Sequence, residues 1–294
     1  MKNSFQSIGI MARHTDPEVG GTLQQLGDFL QKRGHRVMLE SDIATQFSDW
    51  KQESATPEQI AENADLVMVV GGDGTLLRAA RSIADYDIPL LGINLGRLGF
   101  LADVSPHNMT ETLDQILAGD YDEEQRFMLR THIGPPGQET TPTKALNDVV
   151  IHKWNVARMI EYETYVDGRL VNTQRSDGLI VATPTGSTAY ALSGGGPLLD
   201  PALNALVLVP ICPHTLSNRP IVVGGDCKIE IVICGRTKPK HVRITCDGES
   251  NQVATKNDHI HIRKHEHKVR LIHPSGHDHF NILRAKLGWS EHPV

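Results

Sequence analysis

The sequence lacks several signals, and each absence removes a class of protein. Cys212, Cys227, Cys234 and Cys246 are the only cysteines in 294 residues, and no two form a C-x-x-C pair. The sequence therefore reads as a protein with reduced thiols, and a cytoplasmic one. No stretch approaches the ~18 apolar residues of a membrane-spanning helix, and the opening Met1–Ser7 has no apolar signal-peptide core. Positive charge is not in excess: 29 Lys and Arg against 35 Asp and Glu leave a net charge of -6. That balance argues against nucleic acid or an anionic membrane as a main partner, while local phosphate sites stay open. Repeats and low-complexity tracts are absent. A 39% hydrophobic content and a mean hydropathy of -0.27 fit a globular chain long enough for one large or two medium domains.

What is present is organised around Val67-Met68-Val69-Val70-Gly71-Gly72-Asp73-Gly74-Thr75. The apolar run reads as a strand buried on both faces. Residues 76–80 take up helical spacing behind the glycines. Such a strand–turn–helix places free N–H groups and the positive helix end where a phosphate can lie. Asp73 would repel an anion, so its place there fits a metal contact or a base that takes a proton from an attacking hydroxyl. No Gly-Lys-Ser/Thr follows Gly74, which excludes a Walker loop. Leu77 stands where the dinucleotide fingerprint needs its third glycine.

Around this stretch, residues 1–120 alternate strands and helices. Strands are expected at Ile8–Met11, Arg36–Glu40 and Ile88–Asn94, and helices at Thr22–Arg33, after Thr56-Pro57, and through Met109–Leu117. Gly34 and Gly119 would close two of the helices. The pattern implies βαβ units, hence a parallel sheet with flanking helices. An acidic break at Asp120–Glu124 precedes a region of short strands: Ala157–Val166, Leu179–Thr183, Leu206–Cys212, Lys228–Cys234, His241–Cys246, His259–Arg263 and Lys268–His273. Their spacing suggests a β-sandwich-like domain. The expected division is 1–125 for the α/β domain and 126–275 for the β domain. Residues 276–294 would pack back on the first through a helix. Gly134–Pro142 reads as a surface loop.

A second dense stretch runs from Arg175 to Pro197. An apolar strand leads into Thr183, Thr185, Ser187, Thr188 and Ser193, more hydroxyls than the one N-cap that Ser187 or Thr188 would supply. They could hold a ribose, an amide or phosphates, and Gly194–Gly196 would let a ligand approach. Tyr190 is either core or a stacking surface. Thr185-Gly186-Ser187-Thr188-Ala189 does not match G-x-S-x-G, which excludes that serine-hydrolase elbow. Asn147-Asp148 heads a strand and is either a turn pair or a ligand pair. His259 and His261 share one strand face and could pair on a metal, though Ile260 and Ile262 explain the strand without one.

Together, Gly71–Thr75, Asn147-Asp148, Asp177-Gly178 and Thr183–Tyr190 make the chain resemble the NAD kinases over nearly its whole length. Asn94–Leu101 and Leu283–Trp289 add to the likeness, which follows the ATP-dependent bacterial, enterobacterial type. The resemblance implies phosphoryl transfer from ATP to the 2′-hydroxyl of the adenosine ribose of NAD, giving NADP. It implies Asp73 as general base, Gly71, Gly72, Gly74 and Thr75 around the phosphates, and a divalent ion, normally Mg²⁺, carried by the nucleotide. NAD would be held by Gly74, Phe100, Asn147, Asp148, Asp177, Thr185, Thr188, Ala189, Tyr190, Ser193 and Asp247. Asp247 would reach a neighbouring subunit's site, implying a homodimer or homotetramer, and Arg175 would go with a preference for ATP and NAD. Asp148 departs from the family's more frequent Glu, and Gly194 from its usual Ala. The first motif alone is shared with lipid and sugar kinases, which leave Thr183–Tyr190 without a role. A non-catalytic NAD(H) sensor would have no need of Asp73. A dehydrogenase lacks its fingerprint.

Overall fold

The computed structural model describes residues 5–13, 19–47, 50, 53–96, 99–134, 140–154, 158–235, 237 and 241–289, with the side chains of 250 and 251 excepted. The chain forms two compact units, Met1–Gln125 with Val269–Val294, and Arg126–Lys268.

In the first unit the chain runs through β1 (Ser7–Ala12), α1 (Val19–Lys32), β2 (Arg36–Glu40), the single-turn α2 (Ser41–Ala44), β3 (Glu53–Ala55) and α3 (Pro57–Asn63). It continues through β4 (Leu66–Val70), α4 (Asp73–Ile83), β5 (Pro89–Ile93) and α5 (Met109–Leu117). Local chemistry sets the helix ends. Gly34, at φ 82°, lets its own N–H reach Gln31 O and that of His35 reach Leu30 O, which closes α1. At α3, Thr56 and Gln59 exchange side-chain and backbone hydrogen bonds in a capping box, with Pro57 at the first helical position.

The strands lie in the order β5-β4-β1-β2-β3, all parallel. From β1 the chain winds outward to β2 and β3, then returns to β4 on the other side of β1. The winding therefore reverses between β1 and β4, and the Gly71 turn leaves the carboxyl end of β4 at that reversal, where open parallel sheets bind ligands. β4 is buried at every position, because helices cover both faces of the sheet. A Cβ on Gly9 would collide with Ile60, so α3 sits directly on β1. Across the ends of β1, β2 and α4, Arg78 donates to both oxygens of Glu40, at 2.6 and 2.7 Å, and to Ala12 O at 2.7 Å.

The second unit is built from β6 (Tyr121–Gly134, from Arg126 onward), β7 (Thr143–Ala145), β8 (Asp148–Lys153), β9 (Ile160–Val166), β10 (Arg169–Ser176), β11 (Gly178–Ala182) and the short α6 (Tyr190–Ser193). After them come β12 (Ala205–Ile211), β13 (Ile221–Gly224), β14 (Ile229–Ile233), β15 (Val242–Cys246), β16 (Glu249–Ala254) and the first part of β17 (His259–Pro274). One antiparallel layer has the order β10-β9-β14-β17, with β6 and β7 alongside, and the other β13-β12-β11-β8-β15-β16. Their facing residues form a shared core that includes Tyr162, Ile231 and Ile260 from one layer and Ile151, Val181 and Ile244 from the other. This is the expected sandwich. On the second layer's outer face, Val150, Ile180, Ala182, Val207 and Val209 pack with Ala191 and Leu199.

The chain then returns to the first unit. Arg270–Ile272 pair in parallel with Pro89–Leu91, and α7 (His279–Leu287) buries Ile282 and Leu283. The expected helical return is present, but it begins earlier than residue 276, because the last part of β17 is already a strand of the parallel sheet. Two further expectations change. His259–Arg263 and Lys268–His273 are one strand, continuous through the polar stretch, where the buried positions shift from Ile260 and Ile262 to His265 and Val269. The acidic break at 120–124 is the start of β6. There Glu123 takes both side-chain donors of Arg270, Asp122 accepts the Gly276 and His277 N–H groups, and Asp120 accepts from Ser275. Much of the expected Gly134–Pro142 loop, residues 135–139, lies outside the described residues, as do Arg97 and Leu98 of the Asn94–Leu101 segment. No helix among the described residues is long and apolar enough to cross a membrane.

Glu40 is 2% exposed, so removing its cation leaves a buried charge uncompensated. Arg78→Met is expected to lower stability by about 3 kcal/mol, read as a shift of the urea midpoint at pH 7. A shift below about 0.5 kcal/mol would show that the pair carries no net weight.

Candidate functional site

In the first unit, Asp73 is the first residue of α4, behind Gly72 as N-cap. Gly71 has φ 151°, and a Cβ there would collide with the Thr75 side chain, so only glycine makes this bend. Cβ atoms on Gly72 and Gly74 would meet nothing within 4 Å. The helix start is therefore open beside Gly72 and Gly74.

The Asp73 carboxylate is held by backbone. Phe100 N–H donates to Oδ2 at 2.8 Å, and Leu101 and Ala102 N–H donate to Oδ1 at 3.0 and 3.2 Å. A Cβ on Gly99 would strike Oδ1, which explains a glycine beside the acid. Two oxygens thus share three donors, and Oδ2, with one, keeps a lone pair for a proton or a cation. The Phe100 ring lies 5.7 Å from Lys286 Nζ of α7.

In the second unit a pocket of about 580 Å³ opens on the outer face of the β8–β11–β15 layer. The two-residue period of β8 sends Val149 and Ile151 into the core and turns Asp148, Val150 and His152 to this face. Of the expected residues, Asp177, Ala189, Tyr190 and Asp247 also line the pocket, with Asn147 beside Asp148. Tyr190 is 48% exposed, which settles it as surface rather than core.

Asp247 sits at φ 52° in a tight turn with Gly248 at φ 72°. Its carboxylate accepts N–H groups of Leu146, Asn147 and Asp148 at 3.0, 2.7 and 3.2 Å. The side chain expected to reach another subunit is thus turned onto its own chain, where it fixes the Asn147-Asp148 corner. The Asn147 Oδ1 is buried with no hydrogen-bond partner. Burial, and then the charge of Asp247, push the Asp148 carboxyl up to about 7.

The hydroxyl-rich run does other work than expected. Thr183 Oγ1 donates to Leu146 O at 2.6 Å, and Ser187 Oγ donates to Pro184 O and accepts Leu199 N–H. Thr188 donates to Thr185 O, and neither Ser187 nor Thr188 caps a helix. These hydroxyls tie the chain's own turn. A Cβ on Gly186 would collide with the Asn147 carbonyl, so this turn packs directly against the corner. Gly194 and Gly196 are glycines because β12 is close: a Cβ on either would sit 2.8 Å from Val209.

Thr185, Thr188 and Ser193 do not line the pocket, and Arg175 is exposed on β10 away from it. Reading the sequence missed His152, whose period with Asp148 and Val150 was available, and Lys153, which pairs with Asp177 at 2.6 Å. It also missed Arg126, buried beside Thr185 with its guanidinium 3.3 Å from Oγ1; no spacing signals that contact.

Taken as a class, an acid on a glycine turn at the reversal point of a parallel sheet, in a chain with a pocket of this size that mixes apolar walls with carboxylates, is a phosphotransferase for a nucleotide-like substrate. The particular family follows from likeness to known proteins. Residues 8–121 match the family model for the ATP-NAD kinase N-terminal domain, and residues 146–274 the one for its C-terminal domain. An NAD kinase of Nitrosococcus oceani is 51% identical over 290 residues, 98% of each chain. One from a Marinomonas species is 49% identical over 97% of each. Among solved structures, an Archaeoglobus fulgidus NAD kinase in complex with ATP superposes at TM-score 0.74, with 29% identity, covering 96% of this chain and 98% of that one. The fold is shared with yeast NADH kinase complexed with NADH, at TM-score 0.91 and 24% identity, over 100% and 90% of the two chains. The chain belongs to the ATP-NAD kinase family, and its activity is the phosphorylation of NAD to NADP.

The raised Asp148 carboxyl makes stability depend on pH. The unfolded chain releases this proton near pH 4 and the folded one near 7, so between them the folded state holds more protons and loses stability as pH rises. Asp148→Asn removes this loss. The mutant's melting temperature relative to wild type is expected to climb from pH 5 to pH 7 and level off above about 8. A difference that stays flat over that range would mean that Asp148 ionises at its ordinary value.

Proposed function

We propose that the phosphoryl donor is ATP, that the acceptor is the 2′-hydroxyl of the adenosine ribose of NAD, and that Asp73 takes the proton of that hydroxyl. The observation that carries this is the state of the Asp73 carboxylate. Three backbone N–H groups fix its direction, and the Oδ2 lone pair is left on a helix start that glycines keep open. A general base needs this combination of fixed direction and spare acceptor capacity. Gly71, Gly72, Gly74 and Thr75 would shape the N–H cradle for the donor's phosphates, with Gly74 and Phe100 also toward NAD.

For the rest of NAD, the support is that Asn147, Asp148, Asp177, Ala189, Tyr190 and Asp247 share one pocket. A ribose diol has donors for Asp148 and for the partnerless Asn147 Oδ1, and the exposed Tyr190 ring offers a stacking face. Thr185, Thr188 and Ser193 enter as parts of the turn that presents Ala189 and Tyr190. Arg175 keeps its proposed link to ATP and NAD preference only by resemblance.

A divalent ion fits the residues present if the nucleotide carries it. Among the described residues no group of three or more metal-ligating side chains includes Asp73. Mg²⁺ commonly binds through one or two carboxylates plus substrate phosphates. When bound, the ion would neutralise charge on the transferring group. A cytoplasmic homodimer or homotetramer is part of the same proposal. Leu170 and Val171 on β10, Val222 on β13 and Val253 on β16 are exposed apolar residues on edge strands, which suits pairing between copies.

The test is to incubate protein with NAD, ATP and Mg²⁺ and to detect NADP with an NADP-specific dehydrogenase. Asp73→Asn is expected to lower kcat by about 10²–10⁴ while NAD still binds; equal activity in both proteins would remove Asp73 from its role. Gly99→Ala pushes on Oδ1 without changing the acid, and a loss of about 100-fold in kcat is expected for that displacement. Wild-type protein that binds NAD yet makes no NADP would overturn ATP as donor.

A further inference from the structure

His273 and His277 form a stacked pair in the first unit, ring centroids 3.8 Å apart and planes at 25°. Their side chains are 1% and 5% exposed. Both Nδ1 atoms lie 3.0 Å from a single oxygen, Asp103 Oδ2. Both Nε2 atoms face the Glu124 carboxylate, at 3.7 and 3.8 Å. The neighbourhood is knitted together: Asp122 accepts the Gly276 and His277 N–H groups, Ser275 donates to Asp120, and Arg270 grips Glu123.

The two ends of the ring pair have different chemistry. At the Nδ1 end, 3.0 Å is a hydrogen bond, so each ring donates N–H to Asp103 and its Nε2 is left with a lone pair. At the Nε2 end, 3.7–3.8 Å is too long for a hydrogen bond. His273 Nε2 is buried there with no hydrogen-bond partner, as is Asp103 Oδ1. A buried, unsatisfied ring nitrogen calls for an explanation. Two ligand atoms about 2.0–2.1 Å from one zinc ion at a tetrahedral angle are separated by about 3.3 Å, and each Nε2 lies within half an ångström of that separation from a Glu124 oxygen. Histidines that bind metal through Nε2 commonly donate Nδ1–H to a carboxylate, which fixes tautomer and ring direction. Asp103 does this for both rings at once.

We propose that His273, His277 and Glu124 bind one divalent ion of the zinc class, with Asp103 as the residue that positions both imidazoles. Imidazole nitrogens favour Zn²⁺, Co²⁺ or Ni²⁺ over Mg²⁺, so this ion is distinct from one carried by a nucleotide. Asp103 directly follows Phe100, Leu101 and Ala102, whose N–H groups hold Asp73. An ion here fastens the returning strand β17 to the segment that carries them.

The test uses full-length protein stripped with a chelator and titrated with Zn²⁺ against a chromophoric competitor, with Co²⁺ absorption as the spectroscopic check. The expected result is one ion per chain, a Co²⁺ spectrum of nitrogen and oxygen ligands, and a melting temperature that zinc raises. His273→Gln and Glu124→Gln should each weaken binding by about 100-fold or more, and Asp103→Asn by about 10–100-fold. If one variant does not fold, the other and the wild-type spectrum still decide. His261→Gln should change nothing, although His259, His261 and Glu230 form a second cluster, on the other unit. Absence of stoichiometric binding to wild type overturns the proposal, and so does binding that survives His273→Gln and Glu124→Gln but is lost in His261→Gln.

Discussion

The hydrogen bonds from Phe100, Leu101 and Ala102 to Asp73 tie the start of α4 to the end of β5. They require the 99–102 segment to lie against the start of α4, which in turn requires glycine at 99. Gly92 of β5 lies under Ala102, where a Cβ would come within 2.6 Å of the Ala102 Cα. Val104 N–H then bonds Gly92 O and Asn94 N–H bonds Val104 O, so the segment is laced to the end of β5. The Asp73 carboxylate is therefore placed by the parallel sheet, through backbone alone. Side-chain rotamer freedom contributes little to its position, which suits the base proposed here, since a misplacement of about 1 Å is costly.

The second unit solves the corresponding problem with the opposite material. Its corner at Asn147-Asp148 is held by one side chain, Asp247, in a left-handed backbone conformation that costs a non-glycine residue about 1 kcal/mol or more. Three N–H donors on that carboxylate offset the strain. The same contact brings a second carboxylate beside Asp148 and, with burial, leaves it half protonated near neutrality. The pocket thus carries a group that can be donor or acceptor according to pH and ligand. Groups with shifted protonation of this kind cluster at functional sites.

The hydroxyl-rich run shows how far a local pattern reaches. Thr183 and Ser187 look from the sequence like ligand groups, because short polar side chains beside a strand end often are. Their distances show them spent on Leu146, Pro184 and Leu199. A sequence gives the number of hydroxyls, but Leu146 and Leu199 lie 37 and 12 positions from the hydroxyls they meet, and such distant partners have no local signature. The acid-rich start of β6 was misread for the same reason: its partners Arg270, Ser275, Gly276 and His277 follow more than 140 residues later.

Local pattern determined a great deal. Apolar runs and 3.6-residue spacing gave the βαβ order of the first unit. Two-residue alternation gave the strands of the second, and Gly71–Thr75 with Thr183–Tyr190 gave the family, because each of these is written in neighbouring residues. Tertiary structure alone decided the strand order that puts the Gly71 turn at the winding reversal. It decided which alternating face of β8 becomes a pocket and that β17 serves both units. It also decided that the histidines at 273 and 277 meet Asp103 and Glu124. Those outcomes depend on pairing between distant segments. The energy of such pairing comes from burial and hydrogen bonds that no stretch of chain can make with itself.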